Sequence, residues 1–114
     1  MATCAAEQRR QYYRLKYPRR ARPVVKIADA LYHVSEVSEQ GLRVEMANVA
    51  STLYRGLTLK GILKLHNETQ INVEGQILRW SNQEVVIKLS QGPSFKHMVA
   101  EQRHIRQNYP VFFA

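Results

Sequence analysis

Two clusters of polar residues have types and spacings that could do chemistry. The first is Arg9-Arg10-Gln11-Tyr12-Tyr13-Arg14. Guanidinium groups fork onto phosphate oxygens or onto the O6/N7 edge of guanine, and their flat faces stack on bases. Arg10 and Arg14 share a face in a helical turn and can also converge in a compact loop. The second is Glu36-Val37-Ser38-Glu39-Gln40-Gly41. An acceptor side chain, a hydroxyl two residues on and a turn glycine make a compact polar pocket, the glycine allowing positive φ or close approach of a ligand. Taken singly, the first cluster also reads as a solvated basic patch and the second as a hairpin turn.

Catalytic chemistry finds little support. The chain has no HExxH, no GxSxG and no Walker loop, and its single cysteine, Cys4, leaves no pair for zinc. Cys4 has no predicted base beside it and reads as an incidental thiol. His33 and His66 are scattered, while His97 and His104 fall seven apart on a predicted helix and read as surface polar residues. The expectation is a protein that is not an enzyme and carries neither metal nor cofactor. One cysteine fits a reducing compartment, no apolar run approaches a membrane span, and the first residues do not resemble a signal peptide. These readings point to a cytoplasmic protein with no membrane insertion.

The charge is concentrated where the first cluster lies. The 114 residues carry a formal net charge of +8. Residues 1–26 hold eight basic side chains against Glu7 alone, while the remaining 88 hold nine basic and eight acidic ones. A nearly neutral body thus carries a strongly cationic N-terminal arm, a field that attracts phosphates, nucleic acid or an anionic surface. With 45% apolar residues the body is rich enough to bury a core, and its length suits one domain.

The elements that must position these clusters follow from periodicity. Residues 1–23 show no strand-like alternation, and Pro18 and Pro23 discourage a long helix there. From Val24 onward apolar residues recur with period two. Strands are expected at 24–27, 31–37, 41–46, 56–65, 70–80 and 84–89, with turns at Ala28-Asp29, His66-Asn67-Glu68-Thr69 and Ser81-Asn82-Gln83. Six short strands cannot each bury a face alone, so they must close into a small barrel or pack as a sandwich. Gly61 and Gly75 interrupt apolar faces, which suits a sharp bend or close backbone approach in a barrel. After Pro93 the period changes. Phe95, Met98, Val99, Ile105 and Tyr109 recur at nearly helical spacing, with Ser94 as N-cap and Pro110 as stop signal. The tail Val111-Phe112-Phe113-Ala114 is unusually apolar, and either folds back or meets a partner.

The two clusters, in this order and separation, resemble the PilZ domain family. Its members carry RxxxR on a flexible N-terminal segment and (D/N)xSxxG between early strands of a six-stranded barrel. Arg10 and Arg14 match the first motif, and Ser38 and Gly41 match the second. The likeness runs through the strand pattern, the segment Gly75-Gln76-Ile77-Leu78-Arg79-Trp80 and a C-terminal helix containing Glu101-Gln102-Arg103, about residues 8–110. One position departs: Glu36 stands where the family has Asp or Asn, keeping an acceptor but adding a methylene and losing the donor option of asparagine.

The resemblance implies a mostly β fold, a six-stranded antiparallel β-barrel (24–114) with a C-terminal α-helix and a flexible basic arm (1–23). It implies a receptor or adaptor for cyclic di-GMP, in which Arg10 and Arg14 clamp phosphate and guanine edge. Ser38 would be a hydroxyl partner, Gly41 the close-approach turn and Glu36 an acceptor to guanine N–H groups. Arg9 would favour a second bound ligand molecule, and Trp80 could stack on guanine or sit in the core or at the barrel rim. Ordering each arm residue costs on the order of 1–2 kcal/mol, so several contacts must form together for the arm to fold over its ligand. The signal would then pass to an unidentified effector protein, in motility, biofilm matrix production or virulence. Two alternatives stay open: a degenerate PilZ interaction module that binds no nucleotide, and a sequence-tolerant single-strand nucleic-acid binder using Arg19, Arg20 and Arg22.

Overall fold

A computed structural model describes residues 13–46, 54–81 and 83–113. The described strands are β1 (Leu15–Lys16), β2 (Val24–Ile27), β3 (Ala30–Ser38), β4 (Gly41–Glu45), β5 (Thr58–Lys64), β6 (Gln70–Trp80) and β7 (Glu84–Gln91). One helix, α1 (Phe95–Asn108), follows them. The strands run in the spatial order β3-β2-β5-β6-β7-β4, and β4 pairs back onto β3. Every pairing is antiparallel, so six strands form a closed barrel and β1 is one extra strand beside β3. Closure removes the unpaired edges that an open sheet of this size would present.

Alternation decides which side chains enter the core. Val25, Leu42, Leu63, Ile77, Val85 and Ile87 are buried within the barrel, and their neighbours along each strand face outward. The β2–β3 hairpin turns through Ala28 and Asp29, both at positive φ (51° and 67°), the backbone that matches strand twist in a two-residue loop. At Gly75 a Cβ would lie 2.4 Å from the Lys88 carbonyl oxygen and 2.9 Å from an Ile87 methyl. At Gly61 it would lie 2.5 Å from the Lys26 carbonyl oxygen. The expected close backbone approach at both glycines is present.

Helix α1 begins where the sequence places its cap. The Ser94 hydroxyl accepts from the His97 backbone N–H at 3.3 Å, and the Ser94 N–H donates to His97 Nδ1 at 3.1 Å, a reciprocal capping box. The buried face differs from the expected apolar stripe. Met98 and Ile105 enter the core, but Phe95 is 70% exposed and Glu101 is buried in its stead. Phe95 occupies the first helical position, on the side of the turn away from buried Met98. Among the described residues, no helix is long and apolar enough to cross a membrane.

The basic arm differs from its expected boundary at Pro23. No strand is predicted before Val24, yet β1 pairs with β3, with Leu15 fully buried and Tyr17 nearly so. The Tyr17 N–H donates to the Ser35 carbonyl at 3.0 Å. The reason is a single apolar alternation, Leu15-Lys16-Tyr17, too short to stand out among the cations around it.

Candidate functional site

Strand β3 changes phase partway along. Val34 pairs with Val44, but Glu36, not Ser35, pairs with Arg43, so one extra residue is accommodated in a β-bulge. Val34 and Val37 are both fully buried although they are three residues apart, an odd spacing that unbroken alternation forbids. The bulge therefore turns Glu36 and Ser38 onto the outer face of the barrel. Without it both would point into the core.

Register then brings the described end of the first cluster beside the second. Leu15 pairs with Val37 and Lys16 with Glu36, so Arg14, the residue before β1, comes to the end of β3 that carries Ser38. On the other side Ser38 pairs with Gly41, and Gly41 with Lys88. A row thus crosses the outer face through Ser38, Gly41 and Lys88, with Arg14 next to its β3 end. The adjacent row runs through Lys16, Glu36, Arg43, Val86 and Arg79. Lys16, Arg43, Arg79 and Lys88 were not singled out from sequence as site residues. Their signal is present only in the outward phase of β1, β4, β6 and β7, which gains meaning once the strand order is known.

The details of these rows limit what they can bind. Arg14 and Lys16 are exposed and make no ion pair with a described residue. Ser38 is recessed, 8% exposed, and its hydroxyl donates a long 3.5 Å hydrogen bond to the Gly41 carbonyl. Gly41 has no positive φ, and a Cβ there would sit 3.3 Å from Ser38 Oγ. Glu36 is held, with its Oε2 3.5 Å from Arg43 Nε. Arg43 also reaches Glu84 at 3.2 Å, and the Ser35 hydroxyl donates to the same carboxylate at 3.2 Å. A flat dianion laid across these rows would meet cations at both ends and a small recessed hydroxyl between them.

Arg9 and Arg10 lie outside the described residues, as does Tyr12. Trp80 is described, but the register does not bring it into either row. It pairs with Val85, whose side chain is in the core, and it sits at the barrel rim 44% exposed. A register shift between Ile77 and Arg79 sets that phase. Among the described residues no group of three or more His, Cys, Asp or Glu is placed to hold a metal ion.

A buried polar cluster joins the segment after Arg14 to the helix. Glu101 on α1 is 2% exposed. The Tyr17 hydroxyl donates to its Oε1 at 2.7 Å, and His66 Nδ1 meets its Oε2. His66 stacks on His104, with centroids 4.1 Å apart and rings 9° from parallel. Burial raises the Tyr17 phenol well above its ordinary pKa, so it remains a donor. Burial, and then the neighbouring His104, push His66 below its ordinary value. The Glu101 carboxyl pulls the other way. The net direction is downward, and a neutral His66 protonated on Nδ1 still donates to Glu101. This cluster was also missed from sequence, because Glu101 reads as one more polar residue on a solvated helix face.

Comparison with known proteins agrees with this architecture. The family model described as PilZ domain matches residues 8–109. Two solved structures share the fold. One is the PilZ domain with c-di-GMP of YcgR from Escherichia coli, 15% identical, with a TM-score of 0.71 over 90% of this chain and 98% of that one. The other is the Bacillus subtilis inhibitor of motility (MotI/DgrA), 23% identical, with a TM-score of 0.66 over 90% of this chain. The match spans 53% of the MotI chain, about half its length. No curated protein matches the sequence.

Proposed function

The chain belongs to the PilZ domain family, and from that premise we propose that it is a receptor for cyclic di-GMP whose ligand lies on the outer rows of β1, β3 and β4. The observation that supports this reading is the β1–β3 register, Leu15 with Val37 and Lys16 with Glu36, which brings Arg14 to the end of β3 that carries Ser38, with Gly41 paired to Ser38. It joins the halves of a bipartite motif that lie more than twenty residues apart in sequence. The similar YcgR domain was solved with this dinucleotide, which supports the choice of ligand.

In this reading Arg10 and Arg14 fork onto phosphate and the guanine edge, Ser38 offers its hydroxyl, and Gly41 leaves room for the base. A bidentate arginine–guanine contact is worth roughly 1–3 kcal/mol of discrimination. Arg9 serves a second ligand molecule if two bind, and Trp80 stacks from the rim. The arm closes over the ligand, and the altered surface is read by a separate effector protein. No step is chemical, so the protein acts as an adaptor and not as an enzyme.

The test is calorimetric titration with cyclic di-GMP of the wild type beside Arg10→Ala and Arg14→Ala. Tight binding lost in both variants supports the reading, and the stoichiometry reports on Arg9. Wild-type binding that survives Arg14→Ala overturns the placement. A second reading has its own observation. Arg43 holds the Glu36 carboxylate at 3.5 Å, which favours a PilZ interaction module that binds no nucleotide. Absence of wild-type binding, with binding gained in Glu36→Asp, would select it.

A further inference from the structure

A second cationic face lies away from the rows just described. On β2 and β5 the outward residues include Lys26, Lys60 and Lys64, all exposed. Register pairs Lys26 with Ile62, so Lys60 and Lys64 are its diagonal neighbours across the strands, at a spacing of roughly 7–8 Å. The 3-10 turn Arg19–Ala21, which precedes β2 in the chain, carries two more exposed cations, Arg19 and Arg20. None of these five cations makes an ion pair with a described residue. By register and sequence the nearest carboxylates are Glu74, which pairs with Lys60 across β6, and Asp29 in the β2–β3 turn; neither forms a bridge to them. Lys60 has Glu74 directly across from it on β6, whereas Lys26 and Lys64 face no carboxylate on the neighbouring strands, so the positive charge of this face is only partly offset.

The face is not purely ionic. Lys26 also pairs with Leu31, which is 61% exposed, and half-buried Val24 and Ile62 stand between the lysines. We propose that the outer face of β2, β5 and the first half of β3 is a docking surface for an acidic protein segment, one that presents carboxylates to Lys26, Lys60 and Lys64 around an aliphatic side chain seated by Leu31 and Ile62. Charge complementarity selects the sign of the partner, and the interleaved aliphatics select its class. A nucleic-acid strand needs a run of aromatic platforms for successive bases, and the outward described residues of β2, β5 and 30–33 offer one ring, His33, and no outward Tyr, Phe or Trp. A lipid surface is gripped by protruding Trp, Phe or Leu. Here Leu31 stands alone, because Trp80 ends β6 and Phe95 begins α1. The surface shares β3 with Ser38 and Glu36, so a partner seated here lies on the same strand as the ligand rows.

The test is titration of the full-length protein, by NMR, with a short synthetic peptide of alternating glutamate and leucine. Separate titrations use vesicles containing phosphatidylglycerol and an oligothymidine strand. Expected are peptide-induced shifts centred on Lys26, Leu31 and Ile62 that weaken as salt rises, and about tenfold or greater loss of affinity in K26E/K60E/K64E. The neutral variant K26Q/K60Q/K64Q should show an intermediate loss, which guards against a folding defect in the charge reversal. Peptide shifts mapping elsewhere, equal affinity in both variants, or tighter engagement of this face by vesicles or oligothymidine would overturn the proposal. Cyclic di-GMP titration of K26Q/K60Q/K64Q is a separate readout. It should match the wild type, so failure of this surface and failure of the receptor reading are distinguishable.

Discussion

Replacing Tyr17 by phenylalanine removes one oxygen from the buried cluster and leaves the ring in place. The lost bond is the 2.7 Å hydrogen bond to Glu101 Oε1, in a site where Tyr17 is 5% and Glu101 2% exposed. Water cannot readily substitute there, so the cost is that of a buried hydrogen bond to a carboxyl, about 1.5–3 kcal/mol. For 114 residues the unfolding entropy is roughly 0.24 kcal/mol/K, which converts this cost to a fall in Tm of about 6–12 °C. Calorimetric unfolding at neutral pH measures it. Because Tyr17 ties the end of the arm to α1, amide exchange at residues 15–17 should speed up as well. Adding Glu101→Leu to Tyr17→Phe removes both partners, so the double variant should lose less than the two single losses combined. A Tm shift under about 2 °C for Tyr17→Phe, or strict additivity in the double variant, would refute the view that this bond anchors the segment beside Arg14.

Two further outcomes follow from the same structure. His66 titrates near 6.5 when unfolded and lower when folded, so between those pH values the unfolded chain binds more protons and stability falls as pH falls. His66→Gln should flatten the slope of stability between about pH 6.5 and 5, and the His66 ring resonance should titrate below 6.5 in NMR. A folded midpoint above that value would reverse the sign and the argument. Gly75→Ala places a methyl 2.4 Å from a carbonyl oxygen on β7, and urea unfolding should show a loss of about 3 kcal/mol or more, with the β6–β7 amides exchanging fastest.

The barrel was legible because its strands alternate cleanly. Residues 24–27 and 70–80 were read from sequence with the same bounds that β2 and β6 have in the structure. The Ser94 cap was legible for a similar reason, since its partner is three residues away. Less legible was β1. Two paired residues carry too little periodicity to be seen, and their strand character comes from β3 supplying the partner. Glu101 was illegible altogether. A carboxyl in a helix reads as solvated unless one knows that Tyr17 and His66, 84 and 35 residues away, converge on it.

By itself the sequence determined the chemistry on offer: arginines four apart, a serine and a glycine at a turn, and a basic excess near the N-terminus. Those are local properties, set by residue type and spacing. Only the tertiary structure decided that Leu15 and Lys16 pair with Val37 and Glu36, which brings Arg14 to the Ser38 end of β3, that a bulge turns Glu36 and Ser38 outward, and that Lys26, Lys60 and Lys64 share a face. Strand pairing and its register are set by burial across the whole barrel. A slip of one residue would send every one of these side chains to the opposite face.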